Sequence, residues 1–184
     1  FVPACFVASL IAIFSFGVAA DLDLLRNDRL IEAVKANDLE GAEDLLVRKH
    51  DVDAIDENRR TALFFAAIQG NEDFAELLLR FNTKIGVIDQ FGSSPLYYAA
   101  AGDHVGIIQI FAEKGADLNQ QNRRGMTPLM VAAAEGNLAA VQILIELKAD
   151  GATADFTGRT AYDWAVRNKR RFVIRYLASA RNGG

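Results

Sequence analysis

Residues 89–100 read DQFGSSPLYYAA, and one step of 33 further on residues 122–133 read NRRGMTPLMVAA. Stepping back from the first gives RTALFFAA from Arg60, and stepping forward from the second gives RTAYDWAV from Arg159. Thr61, Ser94, Thr127 and Thr160 keep one register, as do Gly92, Gly125 and Gly158 ahead of them and Leu63, Leu96 and Leu129 behind. Back from Thr61 by the same step lies Asp28, where DRLIEAVKAND offers Leu30 and Ala33 in the matching places. A register held through five copies signals an array of supersecondary units, each burying its apolar face on its neighbours.

Within a copy, a hydroxyl residue opening an apolar segment reads as a helix N-cap, and Pro95 and Pro128 behind it fit the first helical position, where an N–H is expendable. The Ala pairs at 66–67, 99–100 and 132–133 let first helices stack closely. A second helix follows, with apolar spacing at Phe74, Leu77, Leu78, then Ile107, Ile110, Phe111, then Val141, Leu144, Ile145. The turn ahead of each pair wants a residue with positive φ. Arg59 stands there in the second copy, at an expected cost of about 1 kcal/mol.

These segments resemble the ankyrin repeat, D-x-x-G-x-T-P-L-H-x-A-A-x-x-G-H followed by an apolar helix, over about residues 28–178. The repeats start near 28, 56, 89, 122 and 155, leaving 21–27 as a short lead and 179–184 as a tail. The fold implied is an all-α solenoid of stacked helix-turn-helix pairs with projecting β-turn or hairpin tips. The family histidine is replaced by Phe64, Tyr97, Met130 and Asp163, so its buried hydrogen bond is lost. The inter-helix glycine is kept at Gly70 and Gly136 but is Asp103 and Lys169 elsewhere, and the first copy has Asn37 and Asp38 at that turn.

The resemblance implies a module that binds a protein partner through turn tips and first-helix faces. The tip positions are Glu57, Asn58 and Arg60; Gln90, Phe91 and Ser93; Arg123, Arg124 and Met126; and Phe156, Thr157 and Arg159. The helix positions are Ile68 and Gln69, Ala101 and Gly102, Ala134 and Glu135, and Arg167. Phe91 and Phe156 are unusual, because a tip is ordinarily polar. Each is either an exposed contact of the kind that dominates interfaces or a ring folded across the neighbouring tip. Tyr98 and Trp164 read as half-buried packing at the groove.

Composition sets the outer limits. Of 184 residues 51% are hydrophobic, 24% are charged and one is Cys, which excludes a disordered tail, a disulfide scaffold and a Cys-based zinc site. A net charge of −4 argues against a nucleic-acid partner. It divides into +6 on residues 159–184 and −10 on 21–158, a basic end that reads as a solubilising cap. No nucleophile elbow, phosphate loop or paired metal-binding His is present, so neither an enzyme, a cofactor nor a metal is expected. His104 reads as structural. The acidic run Asp51, Asp53, Asp56 and Glu57 lacks the glycine of a calcium loop.

Residues 1–20, FVPACFVASLIAIFSFGVAA, carry no charge. Val7 to Phe16 suits the apolar core of a secretory signal, and Val18 and Ala20 place small side chains before a cleavage between Ala20 and Asp21. The expectation is an exported monomer, bacterial and periplasmic, with no cysteine after cleavage. The resemblance is then to small periplasmic ankyrin proteins, which implies an oxidative-stress accessory or a toxin-neutralising role. The rival is a membrane-anchored scaffold that keeps its leader, the one case in which a membrane enters.

Overall fold

A computed structural model describes residues 29–182, in which ten α-helices and no strand occur. The leader, the cleavage site at Ala20 and Asp21, and Asp28 lie outside the described residues. The helices come in pairs: α1 (Arg29–Lys35) with α2 (Leu39–Val47), α3 (Ala62–Gln69) with α4 (Glu72–Arg80), α5 (Pro95–Ala101) with α6 (Val105–Glu113), α7 (Pro128–Glu135) with α8 (Leu138–Glu146), and α9 (Ala161–Arg167) with α10 (Arg171–Asn182). The last helix runs past residue 178, where the repeat domain was expected to end.

First helices pack mainly on first helices of adjacent pairs and on their own second helix, and second helices form an outer row. Burial follows from that placement. A first helix has neighbours on nearly every side, so Ala62 to Ala67 of α3 and Pro128 to Ala134 of α7 are all buried. Such helices are apolar all round. A second helix has one wet face: α4 buries Phe74, Ala75, Leu77 and Leu78 and turns Glu72, Asp73 and Glu76 outward. The Ala pairs at 66–67, 99–100 and 132–133 are each 0% exposed. A larger side chain there would push neighbouring repeats apart.

Three of four expected caps form. Ser94, Thr127 and Thr160 accept the N–H three residues on, at 3.3, 3.3 and 3.4 Å. Asp163, in the family histidine's place, returns a carboxylate to the Thr160 N–H at 2.9 Å and closes a capping box. Thr61 departs from the expectation. Its hydroxyl makes no cap bond and is buried with no hydrogen-bond partner. Phe64, where the family has histidine, offers it no ring N–H.

Positive φ recurs where the sequence places it. Arg59 adopts φ 63° at the position where Gly92 and Gly125 both have 76°, so an L side chain is held in the left-handed region. At the inter-helix turn Asn37, Asp103 and Lys169 take 58°, 59° and 57°. His104 begins α6, and its Nε2 lies 3.1 Å from the Ile68 carbonyl oxygen, linking two repeats.

Candidate binding surface

Each projecting turn is built on one side chain. Asp56, Asp89, Asn122 and Asp155 share the 33-residue register, and the Oδ1 of each accepts two backbone N–H bonds, from the second and fourth residues on. These come from Asn58 and Arg60 at 2.8 Å each, Phe91 and Ser93 at 2.8 and 2.9 Å, Arg124 and Met126 at 2.9 and 3.1 Å, and Thr157 and Arg159 at 2.8 and 3.0 Å. A backbone bond closes the same turn, as from Asp89 N–H to Ser93 O at 3.0 Å. Adjacent tips are joined in turn: Gln90, Arg123 and Phe156 donate their N–H to the carbonyls of Asn58, Phe91 and Arg124.

The second carboxylate oxygen makes a further bond, which for Asp89 and Asp155 reaches the first helix. Asp56 Oδ2 accepts from Arg60 Nη2 at 2.9 Å, Asp89 Oδ2 from the Tyr98 hydroxyl at 2.5 Å, and Asp155 Oδ2 from Trp164 Nε1 at 3.0 Å. Tyr98 and Trp164 are half-buried packing residues, as expected, and both also carry this bond.

The same bonds govern titration. Burial alone would raise Asp155, but the Thr157 hydroxyl, the Arg159 and Thr157 N–H groups and the Trp164 indole outweigh it and bring the carboxyl down to about 2. Asp56 is lowered for the same reason, with Arg60 and Asn58 overcoming burial. Tyr98 is pushed up, first by burial and then by its bond to Asp89.

The expected tip residues divide. Phe91 is 60% exposed and Phe156 72% exposed. Phe156 stands against Gly125 of the preceding tip, where an added Cβ would meet its ring, yet most of the ring is open to solvent. Glu57, Arg123, Arg124 and Thr157 are exposed, and Asn58 and Gln90 are half-buried and bonded to each other at 2.7 Å. Ser93 and Met126 do not belong to the surface: they are 3% and 4% exposed. Their register carries the N–H bonded by the turn carboxylate or amide, so the chain points inward there. Ser93 Oγ accepts from Asn122 Nδ2 at 3.3 Å. The long side chains of that register fold back on their own turns: the Arg60 guanidinium bonds Asp56 Oδ2 and that of Arg159 donates to the Thr157 hydroxyl at 2.6 Å, and they lie over the rings of Phe65 and Trp164 at 4.8 and 5.8 Å.

On the first helices Ile68, Gln69, Gly102, Glu135 and Arg167 are exposed and Ala101 is half-buried, but Ala134 is buried and leaves the set. Gln69 donates to the Lys35 carbonyl at 3.4 Å, and Arg167 lies 5.4 Å from the Trp164 ring centre. Sequence reasoning passed over Lys35, which sits 4.6 Å above Phe65, and the exposed Ile55 and Ile88 beside the tips. The 33-residue spacing of those two isoleucines was a usable signal.

Three acids of the run at 51–57, Asp51, Asp53 and Asp56, are engaged in hydrogen bonds to backbone and side-chain donors. Asp51 accepts the Asp53 N–H at 3.0 Å, and Asp53 accepts the Thr83 hydroxyl at 2.8 Å and the Lys84 N–H at 2.9 Å. Among the described residues no group of His, Cys, Asp and Glu is arranged to hold a metal ion, and no helix is long and apolar enough to cross a membrane.

A stack of helix pairs with braced tips defines a class, the repeat proteins that present one continuous side to other proteins. The model of the family described as ankyrin repeats (3 copies) matches residues 30–122 and again 106–183, and the chain belongs to that family. Ankyrin repeats support a protein–protein interaction module, and such proteins are typically non-enzymatic. No curated protein matches the chain.

Proposed function

We propose that this module grips its partner along the turn tips and the exposed ends of the first helices, with Phe91 and Phe156 as its main apolar contacts. The observation that carries the reading is the exposure of those two rings, 60% and 72%, on tips whose backbone is already fixed. A rigid aromatic contact loses little freedom on binding, which favours affinity. The exposed Arg123 and Arg124 lie at the tip between the two rings, and Arg167 extends the basic character onto α9. The test isolates the partner with the intact protein and titrates it against Phe91→Ala and Phe156→Ala. Unchanged affinity in both would refute the assignment.

Export is the accompanying proposal, supported by the charge-free run at 1–20 and the small residues before Asp21. N-terminal sequencing of the protein from its native cell decides it: Asp21 as first residue supports cleavage and passage across a membrane, whereas an intact leader supports the anchored scaffold. An oxidative-stress accessory and a toxin-neutralising protein both fit such a module, and identification of the bound partner separates them.

A further inference from the structure

The outer row of second helices is graded in charge along the stack. One register on that row carries Glu43, Glu76, Gln109, Gln142 and Arg175: two acids, two amides and a base. The helices around it follow the same gradient. α2 holds Glu40, Glu43 and Asp44 with no base, α4 holds three acids and Arg80, α6 and α8 each hold one acid, and α10 holds Arg171 and Arg175 with no acid.

The two ends of this row also complement each other in shape. α10 buries Val173 and Leu177 inward, which leaves Arg171, Phe172, Arg175 and Ser179 on one exposed face. Phe172 is 73% exposed and serves nothing in its own stack. At the opposite end, an open cleft of about 540 Å³ lies between α2, α4 and α6. Four acids, Glu43, Asp73, Glu76 and Glu113, outnumber the two bases Arg80 and Lys114 in its lining, beside apolar Leu39 and Ile110. Leu39 is 39% exposed. Glu43 has one ion-pair partner, Arg80 at 3.0 Å, while its side chain stays about half exposed.

We propose that this outer row is a self-association surface on which a second copy of the chain packs antiparallel about a two-fold axis. That arrangement sets Glu43 against Arg175 of the second copy and Glu76 against Gln142, each contact occurring twice, and Gln109 against its own counterpart once, at the axis. A two-fold interface must be self-complementary in this way, and a series running from acid through amide to base satisfies the requirement under antiparallel pairing and fails it under parallel pairing. Phe172 of each copy then enters the acidic, leucine-bearing cleft of the other, supplying the apolar anchor that charge pairing alone lacks. The molecule is a dimer in place of the monomer expected from sequence. The tip face stays free on both copies, so the assembly is independent of the partner-binding reading.

Sedimentation of the full chain at rising concentration tests this. The expected result is a dimer that dissociates as salt rises. Arg175→Glu and Glu43→Arg should each weaken it by about tenfold or more, and an equal mixture of the two variants should restore it, because each then offers the other an opposite charge at both contacts. Phe172→Ala should weaken it without changing the salt response. Melting curves establish that every variant is folded. A monomer under all conditions overturns the proposal, as does a dimer indifferent to both charge reversals. So does a monomer that binds phosphatidylserine vesicles through Arg175, since the basic face would then belong to lipid.

Discussion

Trp164 donates its indole N–H to Asp155 Oδ2 at 3.0 Å, and 66 residues earlier Tyr98 makes the same bond to Asp89. One carboxylate thereby braces a turn with its first oxygen and locks the turn to the helix with its second. Because the chain has one tryptophan, this bond can be followed by fluorescence. Asp155→Asn would set an amide or a lost acceptor against the indole. We expect a loss of about 1–3 kcal/mol and a changed Trp164 emission, measured by denaturant unfolding.

The same carboxylate shapes the acid limb of stability. Its folded value of about 2 lies below the ordinary 3.8, so its contribution is complete above the unfolded value and is lost as pH falls through the folded one. Stability should therefore decline from roughly pH 5 toward pH 2, with Asp56, also lowered, adding to the slope. Asp155→Asn should flatten that decline. An identical slope in variant and parent would show that Asp155 is not the group responsible.

Thr61 and Thr127 occupy the same position in their repeats and should respond oppositely to Val. The Thr127 hydroxyl caps Met130, so Thr127→Val should cost about 1 kcal/mol. The Thr61 hydroxyl is buried with nothing to bond, so Thr61→Val should be neutral or stabilise by up to about 1 kcal/mol. Thermal melts of the two variants side by side provide the comparison.

Arg59 holds φ 63° with its side chain in solvent. Arg59→Gly removes the left-handed penalty but frees the unfolded chain, so the net gain should be under about 1 kcal/mol. A loss on chemical denaturation would mean that the Arg59 side chain contributes more than its exposure suggests.

Phe91→Ala and Phe156→Ala should leave stability within about 0.5 kcal/mol, because neither ring fills the core. Each should lower partner affinity by about 30-fold if the rings are interface anchors. Matched stability losses with full binding would instead make them packing residues of the tips.

The helix pairs were legible because Thr, Pro, Leu and Ala recur where a capped, tightly stacked helix needs them. The tips were less so. One register reads as a surface column, although its members differ: Arg60 and Arg159 are half-buried with their guanidinium groups bonded to their own turns, and Ser93 and Met126 are buried. Which way a side chain points depends on the bonded N–H beneath it, and so on Asp56, Asp89, Asn122 and Asp155, whose bracing bonds the D-x-x-G pattern does not reveal. The unpartnered Thr61 hydroxyl was hidden for another reason. A cap residue names a capacity to bond, and only packing around Phe64 determines whether it is used.

The turn braces have an evolutionary corollary. Their geometry is written mainly in one acid or amide per turn and in backbone groups common to all residues, so positions such as Glu57, Phe91 and Arg124 are free to vary without redesign of the loop. If the tips bind the partner as proposed, specificity and foldability are encoded largely by separate residues on the same turn. Exchange of a handful of tip side chains should be enough to retarget the scaffold to a different partner.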